Sequence, residues 1–144
     1  MYLVDTNIWL ERLLDQAGSE EVGQFLQRVS NDRLYLSDFT MHSIGIILLK
    51  LDEAATFARF VQDVLIDGVV RLVALQPEDM TNVTDAAEKY KLDFDDAYQY
   101  SAAGKFNFHI VSFDSDFDRT DRGRKLPGET EPEHARSDEA QSEE

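Results

Sequence analysis

The sequence predicts an α/β fold built on a parallel sheet covered on both faces. Three features lead there: short apolar runs that read as buried strands, stretches of helical periodicity between them, and connections long enough for parallel crossovers. The elements follow the order strand, helices, strand, helices, strand, helices, strand.

Tyr2-Leu3-Val4 is the first apolar run and ends at Asp5. Helical patterns cover Ile8 to Leu14 and Glu20 to Val29. In the second, Val22, Phe25, Leu26 and Val29 recur at helical spacing until Asn31-Asp32 breaks the pattern. Leu34-Tyr35-Leu36 is the second strand, and Ser37 or Asp38 then caps a helix through about Leu51. That helix carries Met41, Ile44, Ile46, Ile47, Leu48, Leu49 and Leu51 around most of its surface, so it is expected to be buried or covered by a partner. Glu53 to Ile66 reads as another helix, ended by Asp67-Gly68, and Val69 to Ala74 as the third strand. Pro77 suits a first helical turn and opens a helix to about Tyr90. Asp93 reads as the N-cap of a helix through about Ala103, with Gly104 as its stop, and His109 to Ser112 is the last strand.

At 144 residues, 42% hydrophobic and 10% aromatic, the chain forms one domain with its own core. With no cysteine, a disulfide framework, a thiolate zinc site, an iron–sulfur cluster and a cysteine nucleophile are excluded. The longest apolar stretch, Ile44 to Leu49, is far short of the roughly 20 residues of a membrane-spanning helix. The start, Met1 to Asp5, lacks the basic region of a signal peptide, so a soluble, cytoplasmic protein is expected.

A net charge of −15 argues, taken whole, against a nucleic-acid partner. Its distribution changes that reading. Residues 129–144 carry seven acids and one base, without Val, Ile, Leu, Phe, Tyr or Trp, and are expected to be a disordered acidic tail. Arg119, Arg122, Arg124 and Lys125, opposed only by Asp121, make a local +3 patch. The expected organisation is a domain over 1–120, a basic segment over 121–128 and the tail over 129–144.

In an open parallel sheet, ligands bind beyond the C-terminal ends of the strands. Asp5 ends the first strand, Asp114 and Asp116 follow the last, and Asp93, Asp95 and Asp96 cluster at a helix start. Carboxylates brought together in this way repel one another, and a divalent cation removes the penalty. Oxygen ligands suit Mg²⁺ or Mn²⁺, whereas three scattered histidines make zinc a poor fit. Asp93 also serves as a cap, and Asp95 and Asp96 favour the helix dipole; Asp96, which precedes Ala97, is the best ligand of the three. Asp114-Ser115-Asp116-Phe117-Asp118 is not a calcium loop, because Arg119 and Lys125 stand where Gly and Glu are required.

Asp5-Thr6-Asn7 after the first strand, Leu92-x-x-x-Asp96-Ala97 opening a late helix, and Ser112-x-Asp114-x-Asp116-Phe117 after the last strand together resemble the PIN domain, especially VapC-like toxins of toxin–antitoxin pairs. The resemblance spans roughly residues 1–118. It implies a three-layer α/β/α fold with a central parallel sheet of four or five strands. It also implies a metal-dependent ribonuclease that holds Mg²⁺ or Mn²⁺, often forms a homodimer and is inhibited by an antitoxin protein. By position the ligands would be Asp5, Asp96, Asp114 and Asp116, with Asn7 and Ser112 positioning them or a water. One departure stands out: Ser37-x-x-Thr40-x-x-Ser43 places Ser43 where the family usually has a Glu ligand. Asp38 is about 7.5 Å away along a helix axis, and His42 points about 100° around it, so neither is a simple substitute.

The expected chemistry is hydrolysis of RNA phosphodiester bonds at one or two metals held by the four aspartates, and the resemblance implies products with 5′-phosphate and 3′-hydroxyl ends. Arg119, Arg122, Arg124 and Lys125 would hold flanking phosphates of single-stranded or looped RNA. A competing expectation, prompted by Ser43, is a degenerate PIN module that binds RNA or a protein partner without cutting. A phosphoacceptor receiver domain fits less well, because it would want an acidic pair where Asp5 is followed by Thr6 and Asn7.

Overall fold

The computed structural model describes residues 1–130. Strands β1 (Tyr2–Val4), β2 (Leu34–Ser37), β3 (Arg71–Val73) and β4 (His109–Val111) form a four-stranded, wholly parallel sheet in the order β3-β2-β1-β4. Every crossover is helical. Helices α1 (Thr6–Leu13) and α2 (Ser19–Arg28) join β1 to β2, and α3 (Asp38–Lys50) and α4 (Ala54–Phe60) join β2 to β3. The return from β3 to β4 runs through α5 (Met80–Tyr90) and α6 (Phe94–Phe106).

Alternation along the strands divides the core between the two faces of the sheet. In β1, Tyr2 and Val4 join Ile8, Trp9, Phe25, Ile44, Leu48 and Phe60 beneath α1 to α4. Leu3 points the other way, into Val83, Ala97, Ala102 and Ala103 of α5 and α6. In β4, Val111 joins the first cluster and Ile110 the second. The layers are thus α/β/α, and each fully buried Leu or Val contributes about 1.5–3 kcal/mol of apolar burial to holding them together.

This topology decides where a site can form. The chain steps outward from β1 to β2 and β3, then crosses back to β4 on the far side of β1. The reversal lies between β1 and β4, and the crevice beyond their carboxyl ends is where such sheets bind ligands. The Asp5 amide donates to the Val111 carbonyl there at 2.9 Å. Helices α1, α3 and α6 begin on side-chain caps. Asp5 accepts from the Thr6 amide at 2.9 Å, Ser37 from the Thr40 amide at 3.0 Å and Asp93 from the Asp96 amide at 3.0 Å.

Several elements differ from expectation. Helix α6 passes through Gly104 and stops at Asn107, whose left-handed φ of 59° ends it. Buried Ala102, Ala103 and Phe108 hold that turn against the sheet and outweigh the helix-weakening glycine. Helix α4 stops at Phe60, and Val61–Ile66 winds as π turns before Gly68. A Cβ on Gly68 would lie 2.4 Å from the Val64 carbonyl oxygen, so only glycine fits that turn. Pro77–Asp79 forms a separate 3₁₀ turn ahead of α5, and the third strand is trimmed to an edge strand with a single partner. Helix α3 buries Thr40, Ile44 and Leu48, while Ile46 and Leu49 on its outer side and Leu51 at its C-cap remain about half exposed.

The packed body also continues beyond residue 128. Pro127–Glu129 forms a 3₁₀ turn against α2, where the Arg28 guanidinium donates to the Pro127 carbonyl and to the Thr130 hydroxyl. Glu129 and Thr130, assigned to the acidic tail from composition, pack with this turn: Thr130 is buried and its hydroxyl accepts from Arg28, and the Glu129 carboxylate accepts from the Leu126 amide. The rest of the expected tail, 131–144, lies outside the described residues. No helix among the described residues is long and apolar enough to cross a membrane.

Candidate active site

Asp5 closes β1 and is 6% exposed. Both of its oxygens are occupied by donors. Oδ1 accepts from the Thr6 amide at 2.9 Å and from Gln99 Nε2 at 2.8 Å. Oδ2 accepts from the Ser112 hydroxyl at 2.7 Å and, at 3.4 Å, from Asn7 Nδ2. Burial pushes its pKa up, the Gln99, Ser112 and Thr6 hydrogen bonds oppose that, and the charge of Asp114 adds to it; the net direction is upward.

Asp96, in the first turn of α6, is equally buried at 7% exposure and has different neighbours. Its carboxyl, together with those of Asp114 and Asp116, places one oxygen from each residue within 4.8 Å of the others. Burial first, then its hydrogen bond to Asp114, then the charges of Asp114, Asp93 and Asp5 push the Asp96 pKa up to about 8. Asp114 and Asp116 are held by the turn after β4, where the Asp116 amide donates to Asp114 Oδ1 at 2.9 Å. The Asp114 amide donates to Ser112 Oγ, also at 2.9 Å. Ser112 therefore connects the Asp5 carboxylate to the Asp114 turn.

Asp5, Asp96 and Asp114 line one cavity of about 260 Å³ with Asn7, Ser43, Asp95 and Gln99. The structure thus brings the expected positioning residues to the expected acids. Asn7 donates to both Asp5 and Ser112 and accepts from the Phe113 amide, and Ser43 presents its side to the same cavity. Asp95 lies on the rim, its pKa raised by burial and by Asp93. Asp38 and His42 line a separate cavity with Tyr98. Asp38 there accepts from the Phe39 amide and the Tyr98 hydroxyl, which explains its distance from the acids.

The basic segment is more internally bonded than its composition implies. Arg119 donates to the Tyr90 and Lys91 carbonyls, where α5 ends on a left-handed residue, and pairs with Asp116 at 3.2 Å. Arg122 donates to the Phe108 carbonyl, and Arg124 to Asp118 and the Ser112 carbonyl. The backbone of Lys125 bridges to Val111 and so extends the β4 edge. Arg119 and Arg124 fasten the segment beside the site, with Arg119 against one of the clustered acids, whereas Arg122 is bonded at the start of β4 and the far end of α6 from Asp96.

The sequence reading missed Gln99, with Thr40 and Ser37 behind it. Gln99 follows Asp96 by three residues on α6 and is 2% exposed. A polar residue on the helix face that Asp96 occupies was the available signal.

The PIN domain family model matches residues 2–123. The chain belongs to the PIN domain family. As a PIN domain it shares its fold with solved structures at low sequence identity, and among curated proteins none matches it significantly. A toxin–antitoxin complex from Klebsiella pneumoniae is 18% identical, with a TM-score of 0.70 over 90% of this chain and 100% of that one. FitAcB from Neisseria gonorrhoeae is 18% identical with a TM-score of 0.72, over 90% of this chain and 100% of that one. VapC20 from Mycobacterium tuberculosis, described as a sarcin–ricin-loop-cleaving toxin, is 15% identical with a TM-score of 0.73, over 88% of this chain and 100% of that one.

The donor set of this PIN domain fits a hard divalent cation. It is all carboxylate oxygen, and the charge on Asp96 has acids rather than cations as its near neighbours.

Proposed function

We propose that this PIN domain is a metal-dependent endoribonuclease and the toxin of a toxin–antitoxin pair. The observation that carries the reading is the convergence of Asp96, Asp114 and Asp116 at the switch point of the sheet, with Asp5 on the same cavity wall. PIN domains are generally nucleases, and a structural neighbour is described as cleaving the sarcin–ricin loop. Asp96, Asp114 and Asp116 would hold Mg²⁺ or Mn²⁺, with Asp5 beside them. When bound, the ion supplies charge neutralisation at the scissile phosphate and acidifies water.

The chain's own groups provide the frame. Ser112 and Asn7 hold Asp5 and the Asp114 turn in fixed relation, and Ser43 offers a neutral hydroxyl to the substrate side of the cavity. Lys125 and the outer edges of Arg119 and Arg124 are the groups on this side suited to flanking phosphates, with Arg122 farther along at the other end of α6. The exposed Ile46 and Leu49 of α3, with Leu51 at its C-cap, make that helix the face for an antitoxin or for the second subunit of a homodimer. The site of action is the cytoplasm.

Purified protein with Mn²⁺ is expected to cut a panel of structured RNAs, and Asp96→Asn to abolish the cutting. Folded, Mn²⁺-loaded wild type that leaves every RNA intact overturns the nuclease reading. That result favours a PIN module that binds without cutting, for which the neutral Ser43 in the cavity is the supporting observation.

A further inference from the structure

We infer that Gln99 is a positioning residue of the acidic site: its side-chain amide ties Asp5, at the end of β1, to α3 and α6, and so fixes Asp5 relative to Asp96. The inference rests on the metal-dependent nuclease reading and extends it to a residue outside the carboxylate set.

The amide makes three hydrogen bonds with three different partners. Nε2 donates to Asp5 Oδ1 at 2.8 Å and to Thr40 Oγ1 at 2.7 Å, and Oε1 accepts from the Ser37 hydroxyl at 2.6 Å. The chemistry of the partners fixes the amide orientation. Asp5 Oδ1 already accepts from the Thr6 amide and is thus an acceptor oxygen, so the nitrogen faces it. Ser37 Oγ already accepts from the Thr40 amide, which leaves its proton for Oε1.

Packing alone does not account for a glutamine here. The side chain is 2% exposed, on a helix that buries Ala97, Ala102 and Ala103. An apolar residue would fill the same space without the cost of desolvating an amide. The amide is tolerated because its partners satisfy it, and those partners come from the β1 end and the start of α3.

The position in the chain gives the amide its leverage. Asp96 and Gln99 are three residues apart on α6, so a rigid helical turn links the Gln99 amide to the Asp96 carboxyl. Ser112 holds the other oxygen of Asp5 and accepts from the Asp114 amide. Asp5 is therefore clamped from the Asp96 side by Gln99 and from the Asp114 side by Ser112. Gln99 sets the spacing on the side where α3 offers only hydroxyls: Ser37 and Thr40 to the amide, Ser43 to the cavity.

The test uses the full chain as wild type, Gln99→Leu and Thr40→Val, with Mn²⁺ affinity by calorimetry, thermal melting, and kcat and KM on a cleaved RNA. Gln99→Leu is expected to weaken Mn²⁺ binding by about tenfold or more, the usual cost of losing an outer partner at a metal site, and to lower kcat with little change in KM. Thr40→Val removes one acceptor of the amide without touching Asp5 and should shift both quantities the same way by less. A folded Gln99→Leu protein with wild-type Mn²⁺ affinity and kcat overturns the assignment. If that variant does not fold, unchanged Mn²⁺ affinity and kcat in Thr40→Val overturn it instead. Wild type that binds no Mn²⁺ overturns the metal reading and this inference together, which separates that failure from a failure confined to the variants.

Discussion

The β1 side of the acidic cavity and the α6 side bury an aspartate to nearly the same depth and treat it in opposite ways. Asp5 receives hydrogen bonds from Thr6, Gln99, Ser112 and Asn7. Asp96 faces Asp114, Asp93 and Asp5, and its pKa is pushed up to about 8. Burial therefore does not define the role of a carboxyl; the sign of what surrounds it does. Surrounded by donors, Asp5 behaves as a fixed strut. Asp96, surrounded by acids, carries an electrostatic cost that a cation removes.

Asparagine substitutions on the two sides break this comparison most directly. Asp96→Asn is expected to cut Mn²⁺ affinity by more than about a hundredfold, beyond the loss of an outer partner. It should also raise the melting temperature of the metal-free protein at neutral pH by a few degrees, because folding no longer has to take up a proton at that carboxyl. Asp5→Asn makes the same chemical change with the opposite effect on stability. The new amide turns a donor toward groups that already donate, and the metal-free protein should lose about 1–3 kcal/mol in denaturant titration. Two variants that shift stability in the same direction would show that the two sides are not different.

The pH profile sharpens the contrast at an intermediate level. A carboxyl whose pKa is higher folded than unfolded binds its proton more tightly in the folded state, so stability falls as pH rises. For Asp96 the window runs from the ordinary value of 3.8 up to about 8, and Asp5 and Asp95 act in the same direction. Metal-free protein should melt progressively lower across that range, and saturating Mn²⁺ should flatten the slope by replacing the proton. Asp79, held down by the Gln76 amide and Lys105, and Asp121, held down chiefly by the Tyr100 hydroxyl, act in the opposite sense and only below the ordinary carboxylate range. A metal-free melting temperature that is flat from pH 5 to 8 would contradict the account of Asp96.

The smallest expected effect comes from the neutral wall. Ser43→Glu adds a carboxylate to the cavity, and should raise Mn²⁺ affinity modestly while lowering the melting temperature of the metal-free protein. Calorimetry and melting on one preparation check both directions.

The sequence made the acids legible because strand ends and helix starts are local features. Asp5, Asp93 and Asp114 each sit where a run of one periodicity stops, and each caps the next element in the structure. Gln99 was not legible in that way. Its partners are 94, 59 and 62 residues away in sequence, and only the packing of α6 against β1 and α3 brings them together. The arginines show the same limit: their number predicted a basic patch, but their bonds to the α5 terminus, the Phe108 carbonyl and Asp118 depend on where the segment folds back.

By itself, then, the sequence determined the four parallel strands, the alternation that sends Leu3 to one core and Tyr2 and Val4 to the other, and the set of acids at the strand ends. Those follow from periodicity and capping, which act over a few residues. Tertiary structure alone decided which acids share a cation-sized volume, which acid is instead saturated by donors, and where glutamine is the residue that holds them apart. Such distances are set across the switch point of the sheet, where elements far apart in the chain pack side by side.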